Sequence, residues 1–281
     1  MKNKVSNFVL FTILSLYFVY CIKNNIYIKN QVLYSFEIWI TKIIPSLFPT
    51  FIIVDLIHNS KIPYYINKYL HINYIYILSI ISGSPTNAYI LNKYNQDITK
   101  HLSITKYTSL IFTYNYLKTI YKPKIAILLI ITNILSNIII TLKIKPKNIE
   151  IPSNKEQNYT TTIINSIKTN INNLITILGT IIFFNTLPIQ LIKNKYIKTI
   201  ILSITEITTS LENLKTINLP TNIKILFTII SISTCGLCIE TQIKSIINDT
   251  HINYKKYYYY RLIHLILYLL LSYISIILFF N

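Results

Sequence analysis

Lys124–Leu142 reads KIAILLIITNILSNIIITL, an apolar run whose one charge is its first residue. A helix rises about 1.5 Å per residue and a hydrocarbon core is about 30 Å thick, so a run of this length crosses a bilayer as one helix. Ser6–Ile22 and Leu262–Phe280 are blocks of the same kind. Three such blocks exclude an ordinary water-soluble domain, and 52% of the 281 residues are hydrophobic. The sequence therefore predicts an all-α polytopic membrane protein whose first partner is the lipid bilayer.

The formal charge of +18 raises the question of nucleic acid. Phosphate recognition needs Lys and Arg gathered on one face. Here Lys23, Lys29, Lys61, Lys68 and Lys93 stand singly between apolar runs, where long side chains reach the headgroups. No nucleic-acid partner is expected. Tyrosine, at 24 residues, clusters at expected membrane edges, as in Tyr64-Tyr65 and Tyr257 to Tyr260, the depth an amphipathic ring prefers.

Lys2 and Lys4 precede the first apolar block, as in a signal peptide, but Val19-Tyr20-Cys21 is too bulky for a cleavage site. A retained first span is expected. Cys21, Cys235 and Cys238 give no disulfide framework. Cys235-Gly-Leu-Cys238 is a CxxC without the second ligand pair that zinc needs, so no metal is expected. Nucleotide-binding, hydrolase and metalloprotease motifs are missing, so neither a cofactor nor an enzymatic activity is expected.

The polar stretch 143–160 (KIKPKNIEIPSNKEQNYT) reads as a linker between a first repeat, 1–142, and a second, 161–281. About eight transmembrane helices are expected in two related halves, each with one broken or re-entrant helix. In the first half, Gln31–Ile57 reads as a helix broken at Pro45 and Pro49. Ile72–Ile81 is too short to span and stops at Ser82-Gly83-Ser84-Pro85-Thr86-Asn87. Thr105–Ile120 and Lys124–Leu142 follow. In the second half, Thr161–Ile192 and Tyr196–Leu211 precede Thr221–Ile247, which is interrupted at Ser231–Gln242 (SISTCGLCIETQ).

Unwinding a helix in a bilayer exposes backbone groups that hydrocarbon cannot satisfy, so it occurs where protein, water or a ligand satisfies them. Matching interruptions in two halves are the best sequence pointer to a transport site. The candidate substrate-binding residues are accordingly Ser82, Gly83, Pro85, Thr86, Asn87, Gly236, Glu240, Gln242 and Arg261, with Glu206 as a gating or ion-coupling residue. Two plainer readings stand beside this one: a tight surface turn at Gly83-Ser84-Pro85, and close helix packing at Gly236.

Several of these segments resemble the sporulation integral membrane proteins of the YlbJ type, in the nucleoside-recognition or gate-domain group. Ile44-Pro45-Ser46-Leu47-Phe48-Pro49 is similar to that family's proline-bracketed stretch, and Ser82–Ala88 to its glycine-serine turn. Glu206 matches its acidic residue before the second broken segment, Gly236–Gln242 its GLSIHxQ-like patch, and Arg261-Leu-Ile-His264 its final span. Asn87 and Glu240 depart from it, standing where the family has glycine and tends to have histidine. The resemblance implies passage of a small anion, dipicolinate, across the outer forespore membrane during sporulation, with Arg261 as its carboxylate partner. A nucleoside transporter or sensor and a non-transporting structural protein of the spore membrane are the alternatives, and a homo-oligomer is left open.

Overall fold

The computed structural model describes residues 2–70, 73–92, 97–144, 146, 159–247 and 252–280, and every element among them is a helix. In chain order these are α1 (Lys2–Lys23), α2 (Asn25–Ile38), α3 (Ile44–His58), α4 (Ile62–Leu70), α5 (Tyr74–Ser82), α6 (Thr86–Asn92), α7 (Thr99–Thr105), α8 (Leu110–Ile120) and α9 (Pro123–Ile144). There follow α10 (Tyr159–Thr186), α11 (Lys195–Thr205), α12 (Ile207–Thr216), α13 (Thr221–Thr234), α14 (Gly236–Ile246) and α15 (Tyr254–Phe280). Most of the expected linker 143–160 lies outside the described residues.

Among the described residues, five helical bodies are long and apolar enough to cross a membrane: Asn25–His58, Pro123–Ile144, Thr160–Thr186, Thr221–Ile246 and Tyr254–Phe279. The apolar part of α1, Asn7–Lys23, is shorter than these. Their outer faces are apolar: Phe8 is 71% exposed, Leu142 69% and Phe279 75%. Water would penalise such a surface, and a bilayer accepts it. The interior combines an apolar core with many buried polar groups, Ser35, Asn137, Thr199, Ser210, Thr228, Ser231 and His264 being fully or almost fully buried. This distribution, with apolar groups outward and hydrogen-bonded polar groups inward, is that of an integral membrane protein.

The expected break at Pro45 and Pro49 does not occur. The helix runs from Asn25 to His58 through a π-helical turn at Trp39–Ile43, directly before Pro45 at the start of α3. A π turn absorbs the register change that a proline forces on an i→i−4 ladder. Ser46 and Thr50 bond back to the carbonyls of Lys42 and Leu47 at 2.7 and 2.8 Å.

Real interruptions lie elsewhere. α5 and α6 pack on each other across a turn at Gly83–Pro85, forming a first helical hairpin, and Thr105–Ile120 is not continuous but opens at Lys106–Ser109 between α7 and α8. The segment expected as a single helix over Tyr196–Leu211 doubles back at Glu206. Asn213 Nδ2 donates to Thr199 Oγ1 at 3.1 Å, and Lys195 Nζ to the Asn218 carbonyl at 3.1 Å, pairings that only an antiparallel α11–α12 hairpin with Glu206 at its apex allows. α13 and α14 are separated, as expected, at Cys235-Gly236, both with positive φ (57° and 75°).

Around these pieces α9 packs on α15, and α10 on both α2 and α3. The first hairpin packs on α7, the second on α13, and each also reaches the opposite broken helix: α6 touches α14, and α12 touches α8. The hairpin apices and the helix breaks are thereby gathered into the centre of the protein.

Candidate functional site

Each hairpin apex sits on a helix break. At the first, Ser84 N–H donates to the Tyr107 carbonyl at 2.8 Å, Ser109 Oγ to the Ile81 carbonyl at 3.2 Å, and Asn87 Nδ2 to the Thr105 carbonyl and hydroxyl at 2.7 and 3.1 Å. These bonds satisfy backbone groups that opening the helix would leave bare. Gly83, at φ +72°, permits the approach, since a Cβ there would collide with the backbone nitrogen of Ser109. At the second, Thr234 Oγ1 donates to the Ser203 carbonyl at 3.1 Å, and a Cβ on Gly236 would stand 2.9 Å from the Thr205 carbonyl oxygen. Both glycines thus serve the same contact, one from the hairpin side and one from the break side.

Between the two apices lies a narrow cavity of about 50 Å³, lined by Ser84, Pro85, Thr108, Ser109, Glu206, Thr208, Cys238 and Gln242, with Leu47, Phe112 and Ile181 among the apolar walls. Glu206 is 2% exposed and caps α12: its carboxylate accepts from Thr208 N–H at 3.0 Å, Thr209 N–H at 2.5 Å and Thr209 Oγ1 at 2.7 Å. A carboxylate at a helix N-terminus is the favoured sign for the dipole. Thr209 Oγ1 also contacts Asn185 Oδ1 at 2.5 Å, and Asn185 Nδ2 donates to Ser35 Oγ at 2.9 Å, so the apex is tied to α10 and α2. Gln242 is held by its donation to Thr180 Oγ1 at 2.7 Å. Ser84 Oγ, Thr86 Oγ1 and Asn87 Oδ1 are buried and have no hydrogen-bond partner among the described residues. Ser82 is fully buried and bonds back to the Leu78 carbonyl at 2.9 Å.

A second pocket, of about 250 Å³, shares no lining residue with the first and holds Lys106, Ser233, Thr234, Gly236, Glu240 and Arg261. Here the C-terminal ends of α7 and α13 converge, and an α-helix leaves its last carbonyls without partners. Arg261 donates to the Ser103 carbonyl at 3.0 Å and to the Ser233 carbonyl, and Lys106 Nζ donates to the Thr234 carbonyl at 2.6 Å. Cations belong at the negative ends of helix dipoles. Lys106 also forms a buried ion pair with Glu240 Oε1, which Tyr257 Oη reaches at 2.8 Å.

The expected site residues therefore fall into two groups, with Ser82, Gly83, Pro85, Thr86, Asn87, Glu206 and Gln242 at or behind the central cavity and Gly236, Glu240 and Arg261 at the second pocket. Of the two expected acids, Glu206 and Glu240, it is Glu240 that is paired with a cation, Lys106. Lys106 and Asn185 were not singled out by the sequence reading. A lone lysine within Ser103–Ser109, a segment otherwise free of charge, was the available signal for Lys106; nothing marks Asn185 among the many asparagines. No cluster of histidine, cysteine and acidic side chains able to hold a metal occurs among the described residues.

Compared with known proteins, the chain matches no family model, no curated sequence and no solved structure.

Proposed function

We propose that this protein is a membrane transporter that passes a small polar solute between its two hairpin apices. The observation that carries this reading is the seating of each hairpin apex on a helix break around one small cavity, mostly apolar, at whose wall Ser84, Thr108, Ser109 and Glu206 meet. Irregular backbone at membrane depth is costly, and substrate sites of secondary transporters are built from such ends. The cavity is too small for an organic solute as it stands, so passage requires an apex to leave its break.

The chain is further proposed to consist of two related halves of four parts each: a long helix (α2–α3; α10), a hairpin (α5–α6; α11–α12), a broken helix (α7–α8; α13–α14) and a single span (α9; α15). Support comes from the equivalent packing of the parts, including α9 against α15 and each hairpin against its own broken helix. α1 and α4 stand outside this plan.

For the solute, the resemblance to the YlbJ-type sporulation proteins supports dipicolinate, carried across the outer forespore membrane. Lys106 and Arg261 supply two buried cations for a dicarboxylate. A nucleoside is the second reading, favoured by the central cavity, whose mostly apolar wall with a few hydroxyl and amide groups and one carboxylate suits a neutral solute better than a dianion. Uptake of labelled dipicolinate into proteoliposomes, with excess nucleoside as competitor, separates the two. Saturable uptake indifferent to nucleoside is expected. Nucleoside uptake instead supports the second reading, and no flux of either solute by folded protein favours a structural role.

A further inference from the structure

We propose that an open cleft between the first long helix (α2–α3), α8 and α12 is the aqueous vestibule from which solute reaches the central cavity, and that Phe112 is the gate residue between the two. The proposal deepens the transporter reading and rests on it for what passes, while the route itself is argued from geometry.

The cleft has a volume of about 380 Å³, and its lining includes Lys42, Asn115, Lys118, Thr119, Glu212 and Lys215. Four of these six side chains are charged, and Lys42, Asn115, Lys118, Thr119 and Lys215 are exposed. Charged groups of this kind keep a cleft wet. The central cavity is much smaller and mostly apolar, and Glu206 is the one charged residue lining it.

The same three elements wall both spaces. On the long helix, Ile43 and Leu47 line the cavity, and Lys42 and Ser46 the cleft. Along α8 and its N-cap, Ser109 and Phe112 line the cavity, and Phe112, Asn115 and Thr119 the cleft. On α12, Thr208 lines the cavity, and Glu212 and Lys215 the cleft. Steps of three and four residues keep each of the last two sets on one helical face. Cleft and cavity are therefore successive stretches of one path along α8 and α12. Among the described residues Phe112 alone lines both.

Phe112 is buried, and its ring centroid stands 4.7 Å from that of Tyr116. Lys42 Nζ lies 4.9 Å from the centre of the Tyr116 ring and is paired with Glu212 of α12. A phenyl ring across a narrow apolar passage stops water and polar solutes, which would have to shed hydration to cross it. The contacts Phe112–Tyr116–Lys42–Glu212 also tie this ring to the second hairpin. When the hairpin leaves its break, the ion pair separates and Lys42 no longer fixes Tyr116 behind Phe112.

The chain carries its own reporters for a test. Cys238 lines the central cavity, Cys235 lines neither space, and both thiols are free and buried. Full-length protein in lipid nanodiscs, with a single cysteine left, is treated with sulfonatoethyl methanethiosulfonate, and the rate of thiol modification is measured. Asn115→Cys, in a background with all three native cysteines replaced by serine, is expected to react fast, and Cys238 slowly. Phe112→Ala is expected to speed Cys238 by about tenfold or more and to leave Cys235 unchanged. Adding Asn115→Trp, which fills the cleft, is expected to reverse that gain, as a further replacement in a merely loosened fold would not. An unreactive Asn115→Cys, a gain in Phe112→Ala no larger at Cys238 than at Cys235, or a gain indifferent to Asn115→Trp overturns the proposal. The readout is access of a reagent and not flux. Gated access without flux of dipicolinate or nucleoside in proteoliposomes leaves the route standing and overturns the transporter reading. Flux of either solute with Cys238 indifferent to Phe112→Ala does the reverse.

Discussion

Lys106 and Glu240, 134 positions apart in the chain, form one ion pair in the interior, with side chains 2% and 9% exposed. The pair joins the break between α7 and α8 to the first turns of α14, so it links the two broken helices directly. Removing one partner strands the other charge. Lys106→Met is expected to destabilise the protein by about 3–5 kcal/mol, and the double variant Lys106→Met/Glu240→Gln to recover most of that loss. Unfolding in mixed micelles, followed by helix signal, measures both, and a double variant no better than the single one counts against the pair.

Gly83 and Gly236 each lie where a Cβ meets opposing backbone, and each has a positive φ. Alanine at either position carries the left-handed strain of about 1–2 kcal/mol and, in addition, pushes the apex off its break. Gly83→Ala and Gly236→Ala are therefore expected to lower thermal stability by several degrees and to slow flux at least tenfold. By contrast, Gly179 has open space beside it, and Gly179→Ala in α10 is expected to be neutral or slightly stabilising. Equal behaviour of all three in a melting assay would contradict the docking role.

Asn87 closes the end of α7 by donating to both the carbonyl and hydroxyl of Thr105. Asn87→Asp retains the size but replaces the donor with a charge facing a carbonyl. The expected cost is about 1–3 kcal/mol or more, as for a buried acceptor left without its partner. Hydrogen exchange should rise locally in α7 and α8, and unchanged protection there would show that Asn87 does not hold the break.

Glu206 caps α12 with both carboxylate oxygens. Glu206→Ala is expected to lose about 1–2 kcal/mol and abolish flux, and Glu206→Gln, which keeps one acceptor, to lose less stability. Full flux in the alanine variant, with membrane insertion intact, would remove Glu206 from the pathway.

The helical class, the apolar spans and two of the four interruptions are legible in the sequence. Gly83-Ser84-Pro85 and Cys235-Gly236 carry glycine or proline, and so advertise a break. The other two do not: Ile204-Thr205-Glu206-Ile207 and Thr105-Lys106-Tyr107-Thr108 read as continuous moderately apolar helix, yet at the first the Glu206 carboxylate itself accepts from the N–H groups of Thr208 and Thr209, and at the second Asn87 of the first hairpin donates to the freed Thr105 carbonyl. Pro45 and Pro49 advertised a break that a π turn absorbed. Partner choice was beyond local pattern as well. Arg261 spends two of its donors on the carbonyls of Ser103 and Ser233, an arrangement fixed by where α7 and α13 end relative to α15.

The central claim is that solute passes between the two hairpin apices, and Ser84, at the first apex and lining the cavity, reports on it most directly. The measurement is the rate at which a small charged methanethiosulfonate modifies Ser84→Cys in proteoliposomes, in a background with Cys21→Ser, Cys235→Ser and Cys238→Ser, with and without saturating dipicolinate. Modification during turnover, slowed by the solute and followed by loss of flux, is the predicted result. Complete modification with full flux remaining would contradict the account.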